Sequence, residues 1–157
     1  MFGQDVGVST RRFILTTTVA ASPGSAIGFL MRLDEHRGLH PYLQSAEVVA
    51  EGVAEDGPWW EWRVVERPTV WGVPYTMRFP ARMTRLGAES MRGDVVAAPG
   101  CRLQTVTTAA STAVGTVVEE TTTVTAPAPL VGYMTKHARA AHARTFERLP
   151  GELATIA

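Results

Sequence analysis

Glu66, Glu120 and His137 are the side chains through which this sequence could move protons. Glu66 closes the alternating run Trp60, Trp62, Val64, Glu66, so the two-residue period of a strand puts it on the same face as two tryptophans. Glu120 falls in another β-rich run, where the flanking Val117, Val118 and Val124 leave its face open. His137, with Tyr133, occupies a C-terminal amphipathic stretch and can face a sheet. A carboxylate held inward beside an imidazole has a shifted pKa and can serve as acid or base in a cyclisation or a dehydration. The competing reading is a solvated strand end or a salt-bridged rim, because charged groups are rarely fully buried.

Other chemistry is poorly provided for. His36 and His40 stand at i and i+4, but Gly38 between them and Pro41 after them weaken any helix that would align them, and the glutamate of the zinc-protease motif is absent. His137 and His142 are five apart, about 140° around a helix, which is a poor arrangement for sharing an ion. Neither a metal nor a cofactor is therefore expected. Cys101 is the only cysteine, reads as a small buried strand residue, and has no bridge partner. No G-x-S-x-G elbow and no glycine-rich phosphate loop occurs.

Apolar side chains at strand period supply the surroundings. Trp60 and Trp62 are predicted to point inward, while Trp59, Glu61, Arg63 and Arg67 mark the solvent face. From Val73 to Leu86, Tyr75, Met77, Phe79, Ala81 and Met83 alternate with Thr76, Arg78, Pro80, Arg82 and Thr84. Two flexible thioethers beside two aromatics suit a soft pocket, although methionine also fills gaps in ordinary cores. Pro80, on the outer face, should mark an edge or a bulge.

These residues need a scaffold to hold them. Residues 11–21 read as a first strand, followed by Ser22-Pro23 as a helix start, a short apolar helix through Leu33, and a second short helix capped by Asp34. Six strands follow, near 44–54, 59–67, 73–86, 89–97, 101–111 and 115–125, with connections short enough to require antiparallel neighbours. After Pro129 the period changes: Leu130, Met134, Ala138, Ala141, Thr145 and Leu149 line one stripe of a long helix that Pro150-Gly151 should stop. The expected fold is α+β, a seven-stranded curved antiparallel sheet with two short helices after the first strand and a long C-terminal helix across it. The 157 residues are expected to form one domain, with residues 1–10 a flexible N-terminus.

Fifteen basic and fifteen acidic residues balance, so no global field draws the chain to nucleic acid, and no partner of that kind is expected. Thr10-Arg11-Arg12-Phe13 imitates a twin-arginine export signal, but the following threonines make a poor apolar region. Together with the lack of an apolar run long enough to span a bilayer, this predicts a cytoplasmic protein without stable membrane insertion.

The element order resembles the helix-grip (SRPBCC) superfamily, which includes the birch pollen allergen, START-type lipid-transfer domains and bacterial polyketide cyclase/dehydrase-like proteins. The passage VAASPGSAIGFLMRLDEHRGLHPYL is similar to the entry from the first strand into the short helices of the bacterial members. PLVGYMTKHARAAHARTFERLPGEL is similar to their last helix. The resemblance implies a cavity between sheet and helix that holds a small hydrophobic or aromatic molecule. Trp60, Trp62, Tyr75, Met77, Phe79 and Tyr133 are expected to line it in a noncatalytic binding protein, monomer or homodimer. One alternative is an aromatase/cyclase-type enzyme that uses Glu66, Glu120 or His137 on the same ligand. A second is a regulatory or toxin–antitoxin partner working through its outer surface.

Overall fold

A computed structural model describes residues 7 to 155, apart from the side chain of Val70. The first strand, β1 (Val8–Val19), begins three residues earlier than the sequence predicts, so residues 8 to 10, expected in a flexible N-terminus, are paired with the sheet. Gly7 is tied down as well, its carbonyl accepting the Ala128 N–H at 2.8 Å, and the rest of that expectation falls on residues 1–6, outside the described residues. Arg11 and Arg12 sit inside β1, opposite Val124 and Thr123.

Helix α1 (Pro23–Met31) starts where Ser22 Oγ accepts the Ser25 N–H at 3.3 Å, with Pro23 at the first position, where its missing N–H costs nothing. The predicted second helix is a single 3₁₀ turn, Leu33–Glu35. Asp34 does not cap it. Its carboxylate instead accepts two N–H groups from the Arg32 guanidinium, at 3.2 and 2.9 Å.

The strands β2 (Leu43–Ala54) and β3 (Gly57–Glu66) follow as predicted, but the expected third strand of the meander is divided. A two-residue ladder, β4 (Thr69–Val70) with β5 (Val73–Pro74), comes first, and β6 (Met77–Gly87) only then. The division comes from Trp71-Gly72, where both residues have positive φ (55° and 78°) and the chain turns back on itself. The remaining strands are β7 (Ser90–Ala98), β8 (Cys101–Thr112) and β9 (Gly115–Pro127). All pairings are antiparallel in one seven-stranded sheet of order β1-β9-β8-β7-β6-β3-β2. Pro80 lies on β6, an inner strand, yet the β6–β7 ladder begins only at Ala81. At Pro80 the strand is therefore locally an edge, and the missing N–H leaves no gap in a ladder.

The edge strands β1 and β2 are successive in sequence, so the α1 segment carries the chain across the concave side from one edge to the other. Helix α2 (Ala128–Ala154) then lies against β1 and β9. Its C-terminal half delivers Phe146, Leu149 and Leu153 into the main core with Ile27 and Leu30 of α1, Val118 of β9 and Trp62 of β3. Near its start, Val131 and Met134 meet Cys101 and Ala126 in a smaller cluster.

The helix runs through Pro150 instead of stopping there. Leu153, beyond the proline, is fully buried, and its burial offsets the cost of a proline within a helix. Leu130, predicted on the inner stripe, is 48% exposed, and Val131 takes its place. Among the described residues no helix is long and apolar enough to cross a membrane.

Candidate functional site

Strand alternation sets the concave face. On β3 it carries Trp60, Trp62, Val64 and Glu66, and on β6 Met77, Phe79, Ala81 and Met83. Trp62, Val64, Ala81 and Met83 are buried in the core, whereas Trp60 and Phe79 pack against it with part of their surface open. Trp59 belongs to the outer face, where the Arg82 guanidinium lies 4.0 Å over its ring and the ring covers the backbone of Gly52.

A groove of about 680 Å³ opens between α1 and β2–β3, its wall formed by Gly28, Met31, Ala46, Val48, Trp60 and Trp62 and also by the charged Arg32, Asp34, Glu47, Glu51 and Arg85; Glu66, Glu120, His40 and His142 do not line it. The Trp62 Nε1–H is buried and has no acceptor among the described residues. Tyr75 lies elsewhere. It follows β5, is 59% exposed, and its N–H donates to the Pro68 carbonyl at 2.9 Å. The split of the predicted strand is the cause, because the new hairpin carries Tyr75 out of the sheet. Tyr133 is 50% exposed and packs against His137, ring centroids 4.2 Å apart and planes tilted by 45°, on the outer side of α2. His137 is exposed there too, not over the sheet.

The histidine that α2 turns inward is His142. Its Nδ1 meets Glu120 Oε1 at 2.5 Å, its ring packs edge-on against Phe13 of β1, and the Thr122 hydroxyl donates to the same carboxylate oxygen at 3.1 Å. Burial works against the imidazolium, but the Glu120 charge and hydrogen bond outweigh it, with a contribution from Glu66, and hold the His142 pKa above the usual histidine range. Burial alone would raise the Glu120 pKa. The His142 charge, its hydrogen bond and that of Thr122 reverse this and hold it below the usual carboxylate range. Both shifts favour the ion-paired form.

Glu66 and His40 make a second, different pair. His40 comes from the loop after the 3₁₀ turn. Its Nδ1 accepts the Tyr42 N–H at 3.3 Å, which leaves the proton on Nε2, 3.5 Å from Glu66 Oε1. The distance would suit an ion pair, but the charge states do not. Burial, with the nearby charges of His142 and His36, pushes His40 down to about 4. Burial pushes Glu66 up to about 7, the His142 charge only partly opposing it. A neutral imidazole therefore stands beside a carboxyl that is half protonated at neutral pH. His36, the other half of the i, i+4 pair, is turned away to the Phe29 carbonyl at 2.9 Å, so the two histidines do not converge on one point.

Glu66, His40, Glu120 and His142 thus come from four separate elements into one electrostatically coupled set. Their side chains keep 13 to 23% of their surface accessible. The second ring nitrogen of His142, Nε2, has no partner among the described residues, and the side chain keeps 23% of its surface accessible. Such a set provides a protonated carboxyl as donor or acid and an imidazolium–carboxylate pair that can orient or exchange a proton. His142 and His40 were legible only as members of rejected metal pairs. A helical phase taken from Phe146, Leu149 and Leu153 would have found His142, since it lies within about 40° of each around the helix.

No protein-family model matches the chain, and no curated protein matches it. Solved structures do. The di-domain ARO/CYC BexL from the BE-7585A biosynthetic pathway matches at a TM-score of 0.68 with 12% identity, over 91% of this chain and 48% of BexL. The chain thus spans about half the length of that di-domain protein. The Zhui aromatase/cyclase from Streptomyces sp. R1128 matches at 0.70 with 12% identity, over 92% of this chain and 93% of Zhui. Ara h 8.0201 matches at 0.69 with 17% identity, over 95% and 99%. Identities this low carry the architecture and nothing finer, and with the sheet order and the long last helix they establish that this chain has the helix-grip fold.

Proposed function

We propose that the chain holds a small hydrophobic or aromatic molecule against the concave face of its sheet, and that a polar function of that molecule is met by Glu66 and His142. The carrying observation is the interior set itself. Four titratable side chains are placed inside a fold of this size, and the His142 Nε2 has no partner among the described residues while the side chain stays partly accessible. Trp60 and Trp62 supply apolar surface in a groove within the volume range of small-molecule sites. Glu66 lies four residues beyond Trp62 on the same face, about 13 Å along the strand, with the buried Val64 between them, so a fused-ring molecule that touches both has to lie over Val64. Met77 and Phe79, beside Glu66 and Val64 on β6, extend the same surface.

Native mass spectrometry of protein purified from its own host tests the reading, followed by fluorescence titration with naphthalene and with 2-naphthol. A co-purified small molecule is expected, and 2-naphthol is expected to bind more tightly than naphthalene in a manner that H142N removes. No adduct, together with equal affinity for the two probes, would overturn it. The same reading puts the protein in the cytoplasm, since Arg11 and Arg12 are built into the edge strand and an export signal there would take that strand with it.

A catalytic role is the second reading, favoured by one observation: an acid and a base of opposite charge state share one interior. Glu66 can donate a proton to a ketone oxygen, and the neutral form of His142, its Nδ1–H held by the Glu120 carboxylate and its Nε2 unprotonated, can accept one from the neighbouring carbon. This suits carbon–carbon ring closure followed by loss of water. The printed names of BexL and Zhui describe aromatase/cyclases. Incubation of a poly-β-ketone thioester analogue in D₂O distinguishes the readings. A carrier leaves the methylene exchange at its uncatalysed rate, and an enzyme accelerates it in a way that E120Q abolishes.

A further inference from the structure

The hairpin of β4 and β5 serves no purpose in the sheet. It projects beside β3 and β6 and pairs only with itself. At its tip Trp71 is 96% exposed, and Val73 (64%) and Tyr75 (59%) are open as well. Tip geometry makes the tryptophan conspicuous. Trp71 has a φ of 55°, a conformation that such turns normally give to Asn, Asp or Gly, so a bulky side chain there is kept at a conformational cost and without any packing return. The hairpin is also braced by Pro68 and Pro74 and by the Tyr75 N–H to Pro68 carbonyl bond, so little order remains to be imposed on contact.

Charge decides what such a tip would meet. From residue 67 to residue 88 the sequence contains no acidic residue, while Arg67 and Arg78 flank the hairpin base. Both arginines are exposed, and neither is in an ion pair with a described residue. Tryptophan and tyrosine settle at the boundary between lipid head groups and acyl chains, and arginines near them attract anionic head groups. We infer that residues 67–78 form a peripheral docking tip for an anionic bilayer surface, with Trp71, Val73 and Tyr75 entering the interface and Arg67 and Arg78 meeting lipid phosphates. The tip is far too short to cross a bilayer, so the contact is superficial and reversible. This inference does not depend on the ligand reading.

Co-sedimentation with vesicles tests it, using phosphatidylcholine alone and phosphatidylcholine mixed with phosphatidylglycerol. The full chain is expected to bind the mixed vesicles, to release as salt rises, and to show tryptophan quenching by brominated acyl chains. W71S, with an unchanged circular dichroism spectrum, should bind roughly tenfold more weakly and lose that quenching, and R67Q/R78Q should abolish the preference for anionic lipid. Absence of binding to the mixed vesicles would overturn the inference. Equal binding to both vesicle types would overturn it too, as would a W71S variant that binds like the parent. If Trp71 instead drives concentration-dependent self-association without lipid, the tip docks on protein and the inference is wrong.

Discussion

The carboxyl of Glu66 offers the sharpest test of the interior site. Its pKa is pushed from 4.5 to about 7 because the charged form is buried on the concave face. A group whose folded-state pKa is raised contributes stability that is complete below the unfolded value and is lost as pH rises toward the folded one. The loss here falls between 4.5 and about 7. At 1.36 kcal/mol for each pH unit, that gap corresponds to a cost of about 3 kcal/mol once Glu66 is ionised, and glutamine keeps the shape while escaping the cost. E66Q should therefore be more stable than the parent by about 3 kcal/mol at pH 8.5, and by less than about 1 kcal/mol at pH 5, where the parent carboxyl is still protonated. Urea unfolding of both proteins at the two pH values measures this directly, with the denaturant slopes checked for equality. If the difference between parent and variant is the same at pH 5 and pH 8.5, Glu66 ionises as in water and the buried-acid argument falls.

Other perturbations probe the surrounding contacts. Breaking the Glu120–His142 ion pair from either side, by E120Q or H142N, should each cost about 3 kcal/mol at pH 7, and the double variant distinctly less than the sum, as a double-mutant cycle by urea unfolding would show. His40 is neutral in the folded protein, with its pKa depressed to about 4, so the stability it contributes is present above 6.5 and is lost as pH falls through 4. H40N should make the acid limb of the unfolding profile shallower. A Cβ added at Gly52 would stand 2.6 Å from the Trp59 ring, so G52A should lift that indole off Arg82 and lower stability by about 1–2 kcal/mol, seen as a lower thermal midpoint. G52S should do the same, whereas exposed Gly151, with nothing within 4 Å, should tolerate alanine.

The fold was legible because its signals are local. Alternation placed Trp60, Trp62 and Val64 inward and Trp59 outward, Ser22-Pro23 marked the helix start, and the Pro99-Gly100 turn separated β7 from β8. Errors came where one local signal was outweighed by another. Alternation from Val73 onward continued unbroken in the letters, but Trp71-Gly72 and Pro74 folded the first part back into a hairpin and removed Tyr75 from the face it nominally shared with Met77. Pro150 read as a stop, but the burial of Leu149 and Leu153 on either side kept the helix going.

The site was legible only in part, for a different reason. Glu66 followed from its place on β3, since a strand's period is rigid over four residues. Its partner His40 could not follow, because a loop residue has no period and its position is fixed by the Tyr42 N–H bond and by where β2 begins. On α2 the same chemistry depended on phase. Choosing Leu130 instead of Val131 as the first inward residue rotates the stripe by about 100°, and that rotation is enough to favour His137 over His142. Glu120 shows how the ambiguity resolves. With valines on both sides its face was undetermined, but register ties it to Leu15 and Thr107, both turned toward the concave side, and a carboxylate there requires a cation or a proton. His142 is the cation that the helix supplies, so the buried charge on β9 and the phase of α2 are two aspects of one constraint.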